Sequence, residues 1–223
     1  MTVRRGIEGF SGSGNLSKVF RSHGWVMETI DILDGQDMRT YHPKGPVDYC
    51  HWSPPCPEYS YGVRGRTFRD LYKADRDLWL HALRANTEAR PRYWTLENVK
   101  GAQQVWGRAP YHFGPMFIWG YFPEIKASYP WTDSLKGTHN YARSGGKRFD
   151  EGRSAADKAI IPTELAEAIC KAVTDALDRE DEQRAVIASA TGGKYASNTP
   201  GARLQGFERD TEPAQSADLR DEW

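Results

Sequence analysis

The sequence predicts an α/β protein, a mostly parallel sheet with helices on both faces. Three observations carry that expectation. Short apolar runs of strand length alternate with helical patterns, a glycine-rich turn separates the first strand from the first helix, and the pattern closes on an amphipathic helix opened by proline. The 223 residues, 39% hydrophobic and 27% charged, suffice for one domain of ordinary size and little more.

The first strand is expected over 6–10, with loose boundaries because Arg4, Arg5 and Gly6 are poor material for a buried strand. Helical spacing follows over 16–22 and again over 70–86, while the runs 26–33, 47–52, 93–97 and 117–121 read as strands. Pro162 stands at the favoured first turn of a helix over 162–177, whose Leu165, Ile169, Ala172, Val173 and Ala176 share one stripe. Residues 126–158, rich in Gly, Ser, aromatic and basic residues, show no period and read as an irregular basic segment. Polar composition from 181 and Gly, Ser, Thr, Asn and Pro from about Gly192 suggest a folded body over 1–180 and a mobile tail over 181–223. No internal repeat is visible.

Lys+Arg and Asp+Glu balance at 30 each, yet residues 1–171 carry 24 basic and 19 acidic side chains, so the body is mildly basic and the remainder acidic. A basic body is compatible with a polyanionic partner without demanding one. No apolar run approaches the ~20 residues of a membrane span, and residues 1–8 carry no signal-peptide core, so a soluble, cytoplasmic protein without a membrane partner is expected. Three cysteines without paired spacing argue against a disulfide framework or a cysteine zinc site. The six histidines, His51 and His112 among them, have no ligand spacing, so no metal is expected. Any special cysteine must then be a reactive one.

Phe10-Ser11-Gly12-Ser13-Gly14 lies between the first strand and a helix, where glycines let the backbone pass close to a ligand. A plain strand-to-helix turn accounts for this loop equally well. Asp31 adds weight, because an acidic residue closing the next apolar run can accept hydrogen bonds from ribose hydroxyls; together the two features favour a nucleoside-type cofactor. In Ser53-Pro-Pro-Cys-Pro-Glu-Tyr-Ser60 the prolines stiffen the chain just past a strand and set Cys56 at its carboxyl edge, where open α/β sheets bind ligands. A thiol held on a rigid loop suits a nucleophile. The alternative, a small buried hydrophobe, is assigned to Cys50 and Cys170. Glu97 and Asn98 end the next strand at the same edge, where a carboxyl in a cleft can hydrogen-bond a ring nitrogen and pass it a proton.

These residues resemble a known family. Phe10-Ser-Gly-Ser-Gly, Ser53-Pro-Pro-Cys-Pro-Glu-Tyr-Ser, Glu97-Asn-Val and the helix after Ile161 look, in that order, like the S-adenosylmethionine-dependent DNA cytosine-5 methyltransferases, in particular their short phage-borne members. The resemblance covers roughly 6–120 and 153–175. It implies a Rossmann-like methyltransferase fold and a covalent reaction in which Cys56 adds to C6 of cytosine, Glu97 protonates N3, and C5 takes the methyl group. It also implies that Phe10, Ser11, Gly12, Gly14, Asp31 and Asp37 hold the cofactor, that Pro55 and Asn98 belong to the base site, and that Asn98 orders the cysteine loop through the backbone. The substrate it implies is DNA, as a duplex with a flipped base or as a single strand.

The chain departs from the family pattern in three ways. It has no arginine in 111–120, where the family usually carries one; Arg64, Arg66 or Arg143 can substitute. Too few residues precede the closing helix for a separate target-recognition domain, so sequence discrimination should be poor and the basic segment should mainly contact phosphates. Lys158 stands where the family has an asparagine near the transferred methyl group. Pointing to phosphate or solvent it is neutral to the reaction, but a carboxylate-bearing cofactor, carboxy-S-adenosylmethionine, would pair with it and make the product a carboxymethyl cytosine. The same chemistry on a free cytidine nucleotide or RNA, and an idle DNA- or cofactor-binding decoy, are the competing functions.

Overall fold

A computed structural model describes residues 3–60, 76–127 and 160–190. β1 (Arg5–Gly9) is a central strand despite its glycines, and its neighbours explain them. A Cβ on Gly6 would stand 2.6 Å from the Met27 sulfur, and one on Gly9 2.4 Å from the Trp52 ring. Large side chains on the flanking strands occupy the volume that β1 leaves free. The residues that look like poor strand material are therefore the ones this position requires.

β2 (Val26–Ile30), β3 (Tyr49–Trp52), β4 (Tyr93–Val99), β5 (Tyr111–Phe113) and β6 (Met116–Tyr121) complete a six-stranded sheet ordered β2-β1-β3-β4-β6-β5. The β1–β2, β1–β3 and β3–β4 pairs are parallel, whereas β6 runs against both β4 and β5, so the sheet is mostly parallel, as expected from the sequence. β5, which the sequence reading did not assign, is joined to β6 through Gly114, whose φ of 56° suits a tight hairpin.

Among the described residues four helices accompany the sheet: α1 (Asn15–Ser22), α2 (Asp77–Ala89), the short α3 (Gln103–Trp106) and α4 (Thr163–Ala190). Leu16 and Phe20 of α1 and Leu165, Ile169, Cys170 and Val173 of α4 bury one face of the sheet with Met27, Tyr49 and Ile118. Trp79, Ala82, Ala85 and Ala89 of α2 cover the other with Ile7, Cys50, Trp52 and Leu96. β3 shows the period-two logic: Tyr49 faces α1 and α4, whereas Cys50 and Trp52 face α2. No described helix is long and apolar enough to cross a membrane.

Two local features go beyond the sequence reading. The N-cap of α1 is Gly14, which has no side chain to cap it; instead Glu8 of β1 is buried and accepts a 2.8 Å hydrogen bond from the Ser17 amide. α4 runs beyond the apolar stripe that predicted it, and the boundary expected at 180 falls inside the helix. The first added turn is held by charge, because Asp178 and Asp181 pair with Arg4, and Glu180 and Asp181 with Arg92, at 2.6–2.8 Å. The compact body accordingly extends through Gln183. Within the stripe Ala172 is only half-buried, and Cys170 takes the buried place beside it.

Candidate active site

The strand order reverses at the centre of the sheet: from β1 the chain moves outward to β2, then returns to β3 on the other side of β1. Loops leaving the carboxyl ends of strands diverge at such a reversal and open a crevice. Here those loops are 10–14 after β1 and 53–60 after β3, with the end of β4 beside them.

The first loop turns through left-handed backbone at Phe10 (φ 59°), Gly12 (49°) and Gly14 (64°). The Phe10 and Ser11 amides donate to the Ile30 carbonyl at 2.7 and 3.2 Å, and the Gly14 amide donates to the Ser11 carbonyl at 2.7 Å. A Cβ added to Gly12 or Gly14 would meet nothing within 4 Å, so it is the backbone conformation that calls for glycine there, and the space around the loop is open. Asp31 binds this loop to the end of β2: Oδ2 accepts from the Gly12 amide at 2.8 Å and Oδ1 from the Leu33 amide at 2.9 Å. Each carboxylate oxygen keeps a second lone pair for a hydroxyl donor. Next to Asp31, Ile32 and Leu33 are 66% and 84% exposed, apolar surface on which a flat ring can lie. Asp37 is half-buried and accepts from the Arg39 amide at 2.9 Å. Open glycine loop, hydroxyl-seeking carboxylates and exposed apolar surface fit a nucleoside-bearing cofactor.

The second loop is held at both ends. Asn98 Nδ2 donates to the Pro54 carbonyl at 3.0 Å, and the buried Tyr59 packs edge-on against Trp79, which stacks on Trp106 with centroids 4.4 Å apart. Between these anchors Pro55 is exposed and Cys56 half-buried. Burial pushes the Cys56 thiol up and the charge of Glu97 adds to the effect, while a backbone hydrogen bond opposes them. Thiol and carboxyl are thus near enough for the charge of one to bear on the other.

Glu97 is half-buried. Loss of hydration raises its pKa to about 8, against a hydrogen bond from Ser53 that favours the ionised form. At neutral pH the carboxyl therefore carries a proton it can give. Cys50 and Cys170 are buried, one on each face of the sheet.

Arg64, Arg66, Arg143 and Lys158 lie outside the described residues, as do 128–158 of the segment expected to be irregular and the tail from 191. Among the described residues, no group of three or more His, Cys, Asp or Glu is arranged to hold a metal ion. The sequence reading passed over Ser53, which bonds to Glu97, and His51 and Thr95 behind it. Part of the signal was there in the alternation, since 51 on one strand and 95 and 97 on the next share a face, with 53 just past the end of β3.

Neither a family model nor a curated protein matches the chain. Similar solved structures include one from E. coli, described as a DNA modification methyltransferase encoded within a prophage. It is 21% identical, with 44% of this chain and 33% of that chain covered and a TM-score of 0.34. Another is the Entamoeba histolytica methyltransferase EhMeth, 16% identical, with 57% and 56% covered and a TM-score of 0.37. The chain thus spans about a third of the length of the first and just over half of the second.

Proposed function

We propose that the chain is a cytosine-C5 methyltransferase that acts on DNA with S-adenosylmethionine as methyl donor. The observation that carries this reading is the pairing of a thiol on a doubly anchored loop with a protonated carboxyl at the ends of adjacent parallel strands. C5 of cytosine is a poor nucleophile until something adds to C6, and a thiolate is the side chain suited to that addition. Cys56 as thiolate forms a bond to C6, the C5–C6 pair moves to C4–C5 as the C4–N3 pair takes the proton of Glu97 at N3, and the resulting enamine is nucleophilic at C5. When bound, the cofactor supplies an electrophilic methyl group on a sulfonium. Loss of the C5 proton to a base then re-forms the double bond, expels the Cys56 thiolate, and returns the N3 proton to Glu97. Asn98 holds the Pro54 carbonyl and so the height of the thiol; Asp31, Asp37 and the loop 10–14 are the residues that would hold the cofactor. A base inside a duplex is out of reach of this edge and must be flipped out or supplied unpaired.

The test is covalent trapping. A fluorine at C5 blocks the final proton loss, so a 5-fluorodeoxycytidine oligonucleotide with S-adenosylmethionine is expected to give an adduct that survives denaturation and maps to Cys56. Cys56→Ser is expected to retain cofactor binding and form no adduct. An adduct with a 5-fluorocytidine nucleotide but not with DNA would move the chemistry to the free nucleotide, and no adduct with either would overturn the reading.

A further inference from the structure

A line of polar side chains runs across the sheet behind Glu97, on the face covered by α1 and α4. The β3–β4 register sets His51 against Thr95, and both are fully buried. The Tyr49 hydroxyl bonds to Thr95 Oγ1, Thr95 Oγ1 lies 2.7 Å from His51 Nδ1, and His51 Nε2 lies 2.8 Å from Ser53 Oγ. Ser53 in turn bonds to the Glu97 carboxyl. Burial lowers the His51 pKa to about 3, so the ring is neutral and has a single N–H.

With one proton per hydroxyl and one on the ring, the directions are coupled. When Glu97 is ionised Ser53 must donate to it, so Ser53 accepts from Nε2–H, Nδ1 accepts from the Thr95 hydroxyl, and Thr95 accepts from Tyr49. One arrangement satisfies every member, and all its donors point toward Glu97.

We propose that His51 is a positioning residue for Glu97: held as the Nε2–H tautomer by Thr95 and Tyr49, it keeps the Ser53 hydroxyl turned to the carboxyl. One carboxyl oxygen is then fixed by Ser53, and the other is left to face the base. The inference rests on the cytosine reading only in making Glu97 the acid. Among the described residues, the other titratable groups on this face include Glu8 of β1, acted on by Lys18 and Arg21 of α1; Tyr49 of β3, acted on by Glu8 and by Cys170 of α4; Tyr93 of β4, acted on by Glu180 of α4; and Cys56, which Glu97 itself acts on.

Three measurements on the full chain test it. In the wild type above pH 9, ¹⁵N spectra are expected to show His51 as the Nε2–H tautomer; the Nδ1–H tautomer there overturns the proposal. In Ser53→Ala and His51→Phe the Glu97 carboxyl, followed by ¹³C NMR, is expected to titrate at higher pH than in the wild type, because its ionised form has lost an oriented donor. An unmoved titration overturns the proposal. Trapping of the 5-fluorodeoxycytidine oligonucleotide is expected to slow on the order of tenfold in each variant. The double variant should be no slower than the slower single, since both act through one hydroxyl; losses that multiply overturn the proposal. Should His51→Phe not fold, the wild-type tautomer and the half-buried Ser53→Ala still decide. A moved titration without wild-type adduct keeps the relay and sinks the cytosine reading; an adduct with an unmoved titration does the reverse.

Discussion

A carboxyl kept protonated at neutral pH lowers the stability of the fold that holds it. Glu97 titrates at about 8 in the folded chain against an ordinary value of 4.5. Between these values the folded chain retains a proton that the unfolded chain has released, so stability falls as pH rises, by at most about 1.4 kcal/mol per pH unit. Glu97→Gln is expected to raise Tm at pH 8, to change it little at pH 4, and to slow adduct formation severely. Equal Tm shifts at both pH values would assign the gain to packing instead. The pair also sets the rate profile. In the proposed reaction the reactive form, a thiolate beside a protonated carboxyl, is a minority species, because the Cys56 thiol is pushed up by burial and by Glu97. The second-order trapping rate is expected to form a bell, rising to near pH 8 and falling again at the raised Cys56 pKa, whereas in Glu97→Gln a single rise with Cys56 ionisation and no alkaline fall is expected.

Within the elements, the glycines of β1 and the cap of α1 make separate claims. A methyl at Gly9 meets the Trp52 ring at 2.4 and 2.6 Å, a rigid group with no room to turn, whereas one at Gly6 meets the thioether of Met27, which can swing aside. Gly9→Ala is therefore expected to destabilise by about 1–3 kcal/mol in urea unfolding and Gly6→Ala by less; the reverse order would show that the backbone, not Trp52, sets the limit. Glu8 replaces the cap that Gly14 cannot supply, and Glu8→Ala leaves the Ser17 amide without its acceptor. A loss of about 1–2 kcal/mol is expected from urea unfolding, with adduct formation reduced through the displaced loop 10–14. These features were only partly legible. Strand and helix periodicity is visible in the sequence, but a glycine that yields volume to a neighbouring strand looks, in its own segment, like a weak strand residue.

Across the whole molecule, the candidate site and the ion pairs that hold α4 occupy opposite edges of the sheet. The carboxyl ends of β1, β3 and β4 carry the site, while the amino ends of β1 and β4 carry Arg4 and Arg92, which bind α4 through Asp178, Glu180 and Asp181. Burial by itself raises the Asp181 carboxyl, but Arg4 and Arg92 outweigh it and hold it below its ordinary value. The stability this contributes is present above the unfolded carboxyl's pKa and is lost as pH falls through the lower folded one. Truncation after Gln183 is expected to leave Tm and adduct formation unchanged, whereas truncation after Leu177 removes three partners of the arginines and is expected to lower Tm at pH 7; equal Tm values for the two would show the cluster to be incidental. The α/β class and the mostly parallel sheet were legible in the sequence, as were the motifs on which the proposed site rests, because those follow from local periodicity and from residues read within one segment. Tertiary structure alone decided why β1 must carry glycine, why α4 continues past its apolar stripe, and which buried side chains stand behind Glu97. The physical reason is shared: each depends on groups far apart in the chain, such as Gly9 and Trp52, Arg4 and Asp181, or His51 and Thr95, that meet only once the sheet is in register.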